Sequence, residues 1–423
     1  MRPETNALRS AATADLGYGV ASAEFAGLRC LWVGRYIPYP LDEGAKVYSA
    51  KLAEALAATG VAVRFMGIGE ISVIPQGSAH VDWVPVEKGK RHKIVALFSV
   101  LPNAASVDAT EAYVALLEHQ LREHWHVIVF DGYGAGWALK RCLEYRKLHA
   151  FGRTLLVHVS HNHEEKLWRS MAREVRGSLA RKLALWQNYC KVRALERSMV
   201  RSVDLITTIT DEDRRSLTAG VGDANTLTLT PGYAGWIAGE RRINPDTPRR
   251  VILMGSFRWV VKQENLARFI ELADPAFSAN AIGLDVVGDV PDALLGAFQA
   301  HCRATRFHGF VANVAPLFAS ARIAVVPEAL GGGFKLKFLD YFFGRVPVAT
   351  LTQAAAGLPD VLREQTLVRK NLSELIDAVV THIDRIDELN RMQVSAFTHS
   401  EAEFAWEDRG LKLKRAIVRK YYG

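Results

Sequence analysis

Short apolar runs alternate with stretches in which apolar residues recur at helical spacing. Residues 28–34 (LRCLWVG) read as a buried strand. Residues 44–60 (GAKVYSAKLAEALAATG) follow with helical spacing and stop at a glycine, a residue suited to the position just past a helix end. Residues 61–69 are the next strand, and a long helical stretch over 106–124 leads into another at 125–132. Further strands are predicted at 153–162, 203–210 and 223–233. The runs are apolar throughout rather than alternating, and helices separate them. That pattern predicts a parallel sheet covered by helices on both faces.

Residues 238–250 (AGERRINPDTPRR) are polar, basic and proline-containing, and read as a linker. The alternation then restarts, with strands at 249–256, 282–289, 321–328 and 346–351 and helices at 262–273 and 333–345. Residues 403–422 read as one or two amphipathic helices. The expected fold class is therefore α/β, with two Rossmann-like domains, 28–240 and 248–400, facing each other across a cleft. Residues 1–27 are expected to be a mobile leader, and 401–423 a C-terminal helix placed to pack back on the first domain. Open parallel sheets bind ligands at the C-terminal ends of their strands, which here means in the cleft.

Composition narrows the picture. With 423 residues, 49% hydrophobic and 23% charged, the chain can bury its own cores. Four cysteines, none close to another in sequence, exclude a disulfide framework and a cysteine-based zinc site. No apolar run reaches the roughly 18 residues of a membrane span, and the N-terminus lacks the apolar core of a signal peptide. The expected location is cytoplasmic, at the inner face of a membrane if a peripheral contact exists. The 53 lysines and arginines against 45 acids give +8, an excess that suits an anionic ligand or surface.

The most informative stretch is residues 327–351, PEALGGGFKLKFLDYFFGRVPVATL. A strand ends at Pro327, three glycines allow close backbone approach, and a helix is expected from Phe334. Its N-terminal amides, with Lys335 and Lys337 in the first turn, form a potential anion site. Asp340, about two turns in, can accept hydrogen bonds from a vicinal diol. The plainer alternative is a glycine-rich turn followed by a core helix with solvated lysines.

GGGFKLKFLDYFFGRVPVAT resembles the GGGTRLKILEAMAxGxPVVxT stretch of family 4 glycosyltransferases of the GT-B fold. Other segments resemble that family in the same order. LWVGRYIPYPLDEGAKVYSAKLAEALAATG is similar to its first strand, glycine loop and first helix, and VHVSHNHE to its strand ending in HNxE. LITTITDEDRRSL, ILMGSFRWVVKQENL and FHGFVANVAPLFASARIAVVP resemble later segments. The resemblance covers most of residues 28–351.

It implies metal-independent, retaining transfer of a sugar from a UDP- or GDP-linked donor, with no cofactor. The second domain would hold the nucleotide and the first a saccharide, lipid-linked or small-molecule acceptor. Asp340 matches the ribose-binding position, and Lys335 and Lys337 match basic positions near the diphosphate. Gly255 and Ser256 match a phosphate-facing loop, with Lys262 as its basic partner. Gly332, Gly333 and Phe334 fall in the glycine loop, and Gly44 in the first-domain loop that approaches the diphosphate. His161 matches a histidine near the transferred sugar.

Two positions depart from the family pattern. Gly332 stands where the family often has its first acid, with Glu328 near enough to substitute, and Asp340 replaces the commoner Glu. The usual GR…K pair is GSFRWVVK, which leaves Arg258 or Lys262 to hold the diphosphate. The missing acid motivates a second reading, a degenerate GT-B subunit that activates a partner enzyme. A third is a nucleotide-sugar epimerase.

Three further features have competing readings. His161 and His163 flank Asn162 in a spacing that could suit a metal, but no third ligand is evident; the alternatives are a loop-capping histidine or a sugar-site role. DGYGAGW (131–137) lacks the GxGxxG spacing and reads as a strand-to-helix turn on the acceptor side. Residues 166–201 are helical and strongly basic, with Trp168 and Trp186 interleaved. They are either a solvated helix face or a surface for an anionic membrane or lipid-linked acceptor. Nucleic-acid binding is not expected, since no such motif accompanies them.

Overall fold

A computed structural model describes residues 27–75, 80–89, 98–148, 153–174, 178–219, 222, 225–329 and 333–422. The expected leader, through residue 26, lies outside the described residues.

The first sheet comprises β1 (Arg29–Tyr36), β2 (Ala62–Ile68), β3 (Val81–Val86), β4 (Val127–Asp131), β5 (Leu155–Ser160), β6 (Leu205–Thr208) and β7 (Thr226–Thr228). Its order is β3-β2-β1-β4-β5-β6-β7, parallel throughout. Alternate residues of a strand point to opposite faces. Cys30, Trp32, Val127 and Val129 enter one core, while Leu31, Val33, Ile128 and Phe130 enter the other. All eight are essentially inaccessible, which explains why the strands read as continuous apolar runs.

The second sheet comprises β8 (Arg250–Met254), β9 (Gly283–Val287), β10 (Thr305–Phe307), β11 (Ile323–Val326), β12 (Val348–Leu351) and β13 (Leu367–Arg369). Its order is β10-β9-β8-β11-β12-β13, again parallel. Each sheet reverses its winding once, between β1 and β4 and between β8 and β11. Those switch points are where open α/β sheets bind ligands.

Seven helices shape the cleft and its flanks: α1 (Gly44–Ala58), α2 (Glu164–Glu174), α3 (Leu179–Ser202), α4 (Val260–Ala279), α5 (Lys337–Phe343), α6 (Ile386–Glu403) and α7 (Trp406–Tyr422). The C-terminal α7 lies on α1, where Trp406, Leu413, Ala416 and Ile417 join the first-domain core. Gly410 makes that approach possible: a Cβ there would sit 2.2 Å from the Ala55 carbonyl oxygen. The chain between β7 and β8 is held by Tyr233 N–H to Phe404 O and Ala238 N–H to Phe343 O, both 2.9 Å.

Three elements differ from the pattern reading. The stretch 106–124 is two helices, Asn103–Asp108 and Glu111–Gln120. Asp108 is drawn to Arg35 at 2.6 Å, and the Thr110 side chain then caps the new start by accepting from Tyr113 N–H. Residues 166–201 belong to two helices, α2 and α3, with 175–177 outside the described residues. Finally, α5 begins at Lys337, not Phe334, because bonds from Phe338 N–H to Lys335 O and Leu339 N–H to Leu336 O tighten the preceding turn. Lys335 thus precedes the helix, and Asp340 lies in its first turn.

Candidate functional site

At the C-terminal end of β8 the chain turns sharply through Gly255, whose N–H donates to Val287 O at 3.0 Å. Gly288 directly follows β9 with φ +126 and packs so closely that a Cβ there would lie 1.7 Å from Gly255 O. Half-buried Ser256 follows in the turn. The Lys337 ammonium reaches over the turn, 3.3 Å from where a Gly255 Cβ would stand, and pairs with Glu328. Glu328 is 8% exposed, and its second oxygen is buried without a hydrogen-bond partner among the described residues.

Two more lysines join this pair. Burial, then the charge of Lys337, pulls the Lys262 ammonium below its ordinary value. Burial also brings Lys335 down to about 8, and Glu328 only partly offsets this; its ammonium donates to Gly333 O at 3.1 Å. Three lysines therefore gather about Glu328, with Glu43 also acting on Lys262 and Asp213 on Lys335, and their charge is partly desolvated. Such a cluster favours any dianion that can displace water from it. Arg258, by contrast, points outward to Asp289. Of the two residues considered for the diphosphate, the structure brings Lys262 to the cluster and leaves Arg258 outside it.

Asp340 stands one helical turn from Lys337. Burial raises its carboxyl to about 6, against the opposing effects of a Tyr233 hydrogen bond and the Lys337 charge. Tyr233 comes from the chain between β7 and β8 and stacks on Phe343, with ring centroids 4.2 Å apart and planes at 7°. Phe334 places its ring on Phe404, at 5.8 Å, and packs against the cores of both domains. Gly332 lies outside the described residues.

The facing wall comes from the first domain. Gly44, at the start of α1, lies against Leu336: a Cβ there would be 3.2 Å from Leu336 Cδ1. Gly333, with φ +71, is against Asn162, whose Oδ1 would be 2.3 Å from an added Cβ. Just behind, His161 Nε2 is 2.5 Å from Asp131 Oδ1, and Trp32 Nε1–H donates to Asp131 Oδ2 at 3.0 Å. Burial disfavours protonation of His161, but the Asp131 charge and hydrogen bond outweigh it, so the imidazole is raised above its usual value. His163 is held by Ser216 and lies 3.9 Å from Glu196, and each histidine thus engages its own protein partners.

Beside His161 opens a cavity of about 190 Å³, lined by Arg35, Lys46, Tyr133, His161, Asn162 and Glu164 among others. Burial pushes Glu164 up to about 7, opposed by a hydrogen bond from Asn162 and the charge of His161. The DGYGAGW segment supplies Asp131 and Tyr133 to this cavity. Sequence reasoning noted Glu164 only as the last residue of the HNxE motif, and gave no role to Asp131, Tyr233 or Gly288. The available signal was positional, since Asp131 ends β4 at a switch point and Gly288 directly follows β9.

Residues 248–385 match the family described as Glycosyl transferases group 1. No curated protein matches the chain by sequence. Among solved structures, sucrose-phosphate synthase from Thermosynechococcus elongatus superposes with a TM-score of 0.69 at 17% identity, covering 93% of this chain and 98% of that one. HepE of Anabaena, solved with UDP and glucose, gives 0.61 at 12% identity, covering 93% and 100%. WaaG, a glycosyltransferase involved in lipopolysaccharide biosynthesis, gives 0.59 at 16%, covering 92% and 99%. Residues 248–385 are thus a glycosyl transferases group 1 domain, and the chain as a whole has the two-domain GT-B glycosyltransferase fold.

Proposed function

We propose that this chain moves a sugar from a nucleoside-diphosphate donor to an acceptor in the first-domain cavity, with retention of configuration and without a metal ion. One observation carries the reading: Lys262, Lys335 and Lys337 converge beside the Gly255 turn. When the bond from the anomeric carbon to the diphosphate breaks, its electrons move onto phosphate oxygens. Fixed ammonium groups in a partly dry cleft stabilise that charge. Asp340 accepts the ribose hydroxyls, and His161, held by Asp131, borders the sugar. Retention places the acceptor hydroxyl on the face the diphosphate leaves, so a phosphate oxygen is at hand for its proton.

The test is nucleoside-diphosphate release from UDP- and GDP-sugars, with and without acceptors, across pH. Asp340, at about 6, must be ionised to accept a diol, and Lys335, at about 8, must be protonated to hold phosphate. Donor kcat/KM is expected to plateau between these values. It should fall about tenfold per pH unit beyond them, on the acid side through Asp340 and on the alkaline side through Lys335. Binding of neither donor would favour the activating-subunit reading, and donor conversion without acceptor the epimerase.

A second observation bears on the acceptor. Leu179, Leu183 and Trp186 recur on one face of α3 and are 86%, 70% and 48% exposed. Arg169 and Arg173 on α2 and Arg181 and Lys182 on α3 have no ion-pair partner among the described residues. No helix is long and apolar enough to cross a membrane. We propose that this face rests on an anionic membrane that presents a lipid-linked acceptor. Leu183→Glu/Trp186→Glu is expected to weaken co-sedimentation with phosphatidylglycerol vesicles at least about tenfold. Turnover with a soluble acceptor should be kept, and unchanged sedimentation would refute the contact.

A further inference from the structure

Away from the cleft, at the C-terminal end of α5, the linker, the turn after α5 and α6 border an open pocket of about 740 Å³. Four arginines line it: Arg241, Arg242, Arg345 and Arg391. None of the four is in an ion pair with a carboxylate among the described residues, although Glu240 and Asp387 also lie on its wall. Arg241 has only carbonyl partners, Arg345 O at 2.6 Å and Ala321 O. Burial brings its guanidinium down to about 10, the mark of a cation that lacks compensation. Gln393 Nε2–H donates to Arg241 O at 2.9 Å and fixes the segment in place.

Arg345 adds an independent observation. It follows the last turn of α5 with φ +54, a left-handed conformation in which glycine is the unstrained choice. An arginine there carries strain, and its side chain lies 3.6 Å over the Phe397 ring. Its Nε is buried without a hydrogen-bond acceptor among the described residues. Strain of this kind points towards function when the side chain it positions has an unmet need. Arg345 lines the pocket, so its guanidinium stands on the same wall as the other three. Arginine forks match phosphate oxygens in a way that the lysine cluster of the cleft, made of point charges, does not.

We propose that this arginine-lined cavity is a second anion site, which binds a small phosphate-bearing molecule. It is separate from the donor cleft, because the length of α5, roughly 10 Å, stands between it and Lys337.

Calorimetric titration with inorganic pyrophosphate at fixed salt tests this. Wild type is expected to show two saturable classes of site. Arg242→Glu/Arg391→Glu, both at exposed positions, should remove one class or weaken it at least tenfold. The milder Arg242→Gln/Arg391→Gln covers the case of misfolding. Lys337→Ala should remove the other class. A folded Arg242/Arg391 variant, by either pair of substitutions, that binds with wild-type stoichiometry and affinity overturns the cavity site. If Lys337→Ala instead leaves both classes intact, the donor-site assignment fails while the cavity assignment stands.

Discussion

Lys337→Ala is expected to lower donor turnover by roughly 10²–10³-fold, the cost of removing one preorganised group that stabilises leaving-group charge. The lysine has two neighbours through which to act. It pairs with buried Glu328, and it stands over the Gly255 turn where a phosphate can approach. Removing it also strands a buried carboxylate, which costs stability in its own right. The double variant Lys337→Ala/Glu328→Gln separates these effects. It should recover the thermal stability of wild type but not the turnover. A second signature comes from the neighbouring lysines. The Lys337 charge depresses both Lys262 and Lys335, so its loss should move the alkaline limb of the kcat/KM profile to higher pH. Turnover within about threefold of wild type, in a variant that stays folded, would remove Lys337 from the site.

The parts of this architecture legible in the sequence are those that local chemistry imposes. Strands buried on both faces must be apolar at every position, so β1, β4 and β8 stand out. Lys335, Lys337 and Asp340 drew notice because they follow one glycine turn in a stretch that resembles a family motif. What escaped depends on distant partners. Asp131 gains meaning only because β4 pairs with β5, with Asp131 opposite Val159, and so brings it to His161 two residues further on. Tyr233 looks like any aromatic at a strand end until the chain folds it onto Phe343 beside Asp340. The break between 108 and 111 escaped for the same reason, since Arg35, the partner of Asp108, lies on β1, far away in sequence.

The basic surplus also resolves into separate populations with different physics. The cleft lysines are partly desolvated and coupled to Glu328 and to one another, so they should respond to pH and little to salt. The cations of α2 and α3 are exposed, and salt within the Debye length screens them. The arginines behind α5 line an open pocket, have no carboxylate partner among the described residues and are geometrically forked. Raising the ionic strength should therefore weaken a vesicle contact well before it weakens donor binding.

Gly288→Ala is expected to destabilise the second domain by about 3 kcal/mol or more, because neither the space nor the backbone conformation admits a side chain. The new Cβ would stand 1.7 Å from Gly255 O, a backbone atom that cannot rotate away, and φ +126 is a value that residues with a Cβ rarely adopt. Relief requires moving the Gly255 turn, which is the same segment Lys337 covers. Loss of stability and loss of donor binding should therefore appear together, with Tm falling by roughly 6–12 °C. Gly296→Ala is the control. It lies within the helix Asp292–Gln299 with no atom within 4 Å of an added Cβ, so alanine there should stabilise by up to about 1 kcal/mol. Melting curves and donor titrations of the two variants decide the matter. If Gly288→Ala melts with wild type and binds donor normally, the close approach of the β8 and β9 turns does not shape this site.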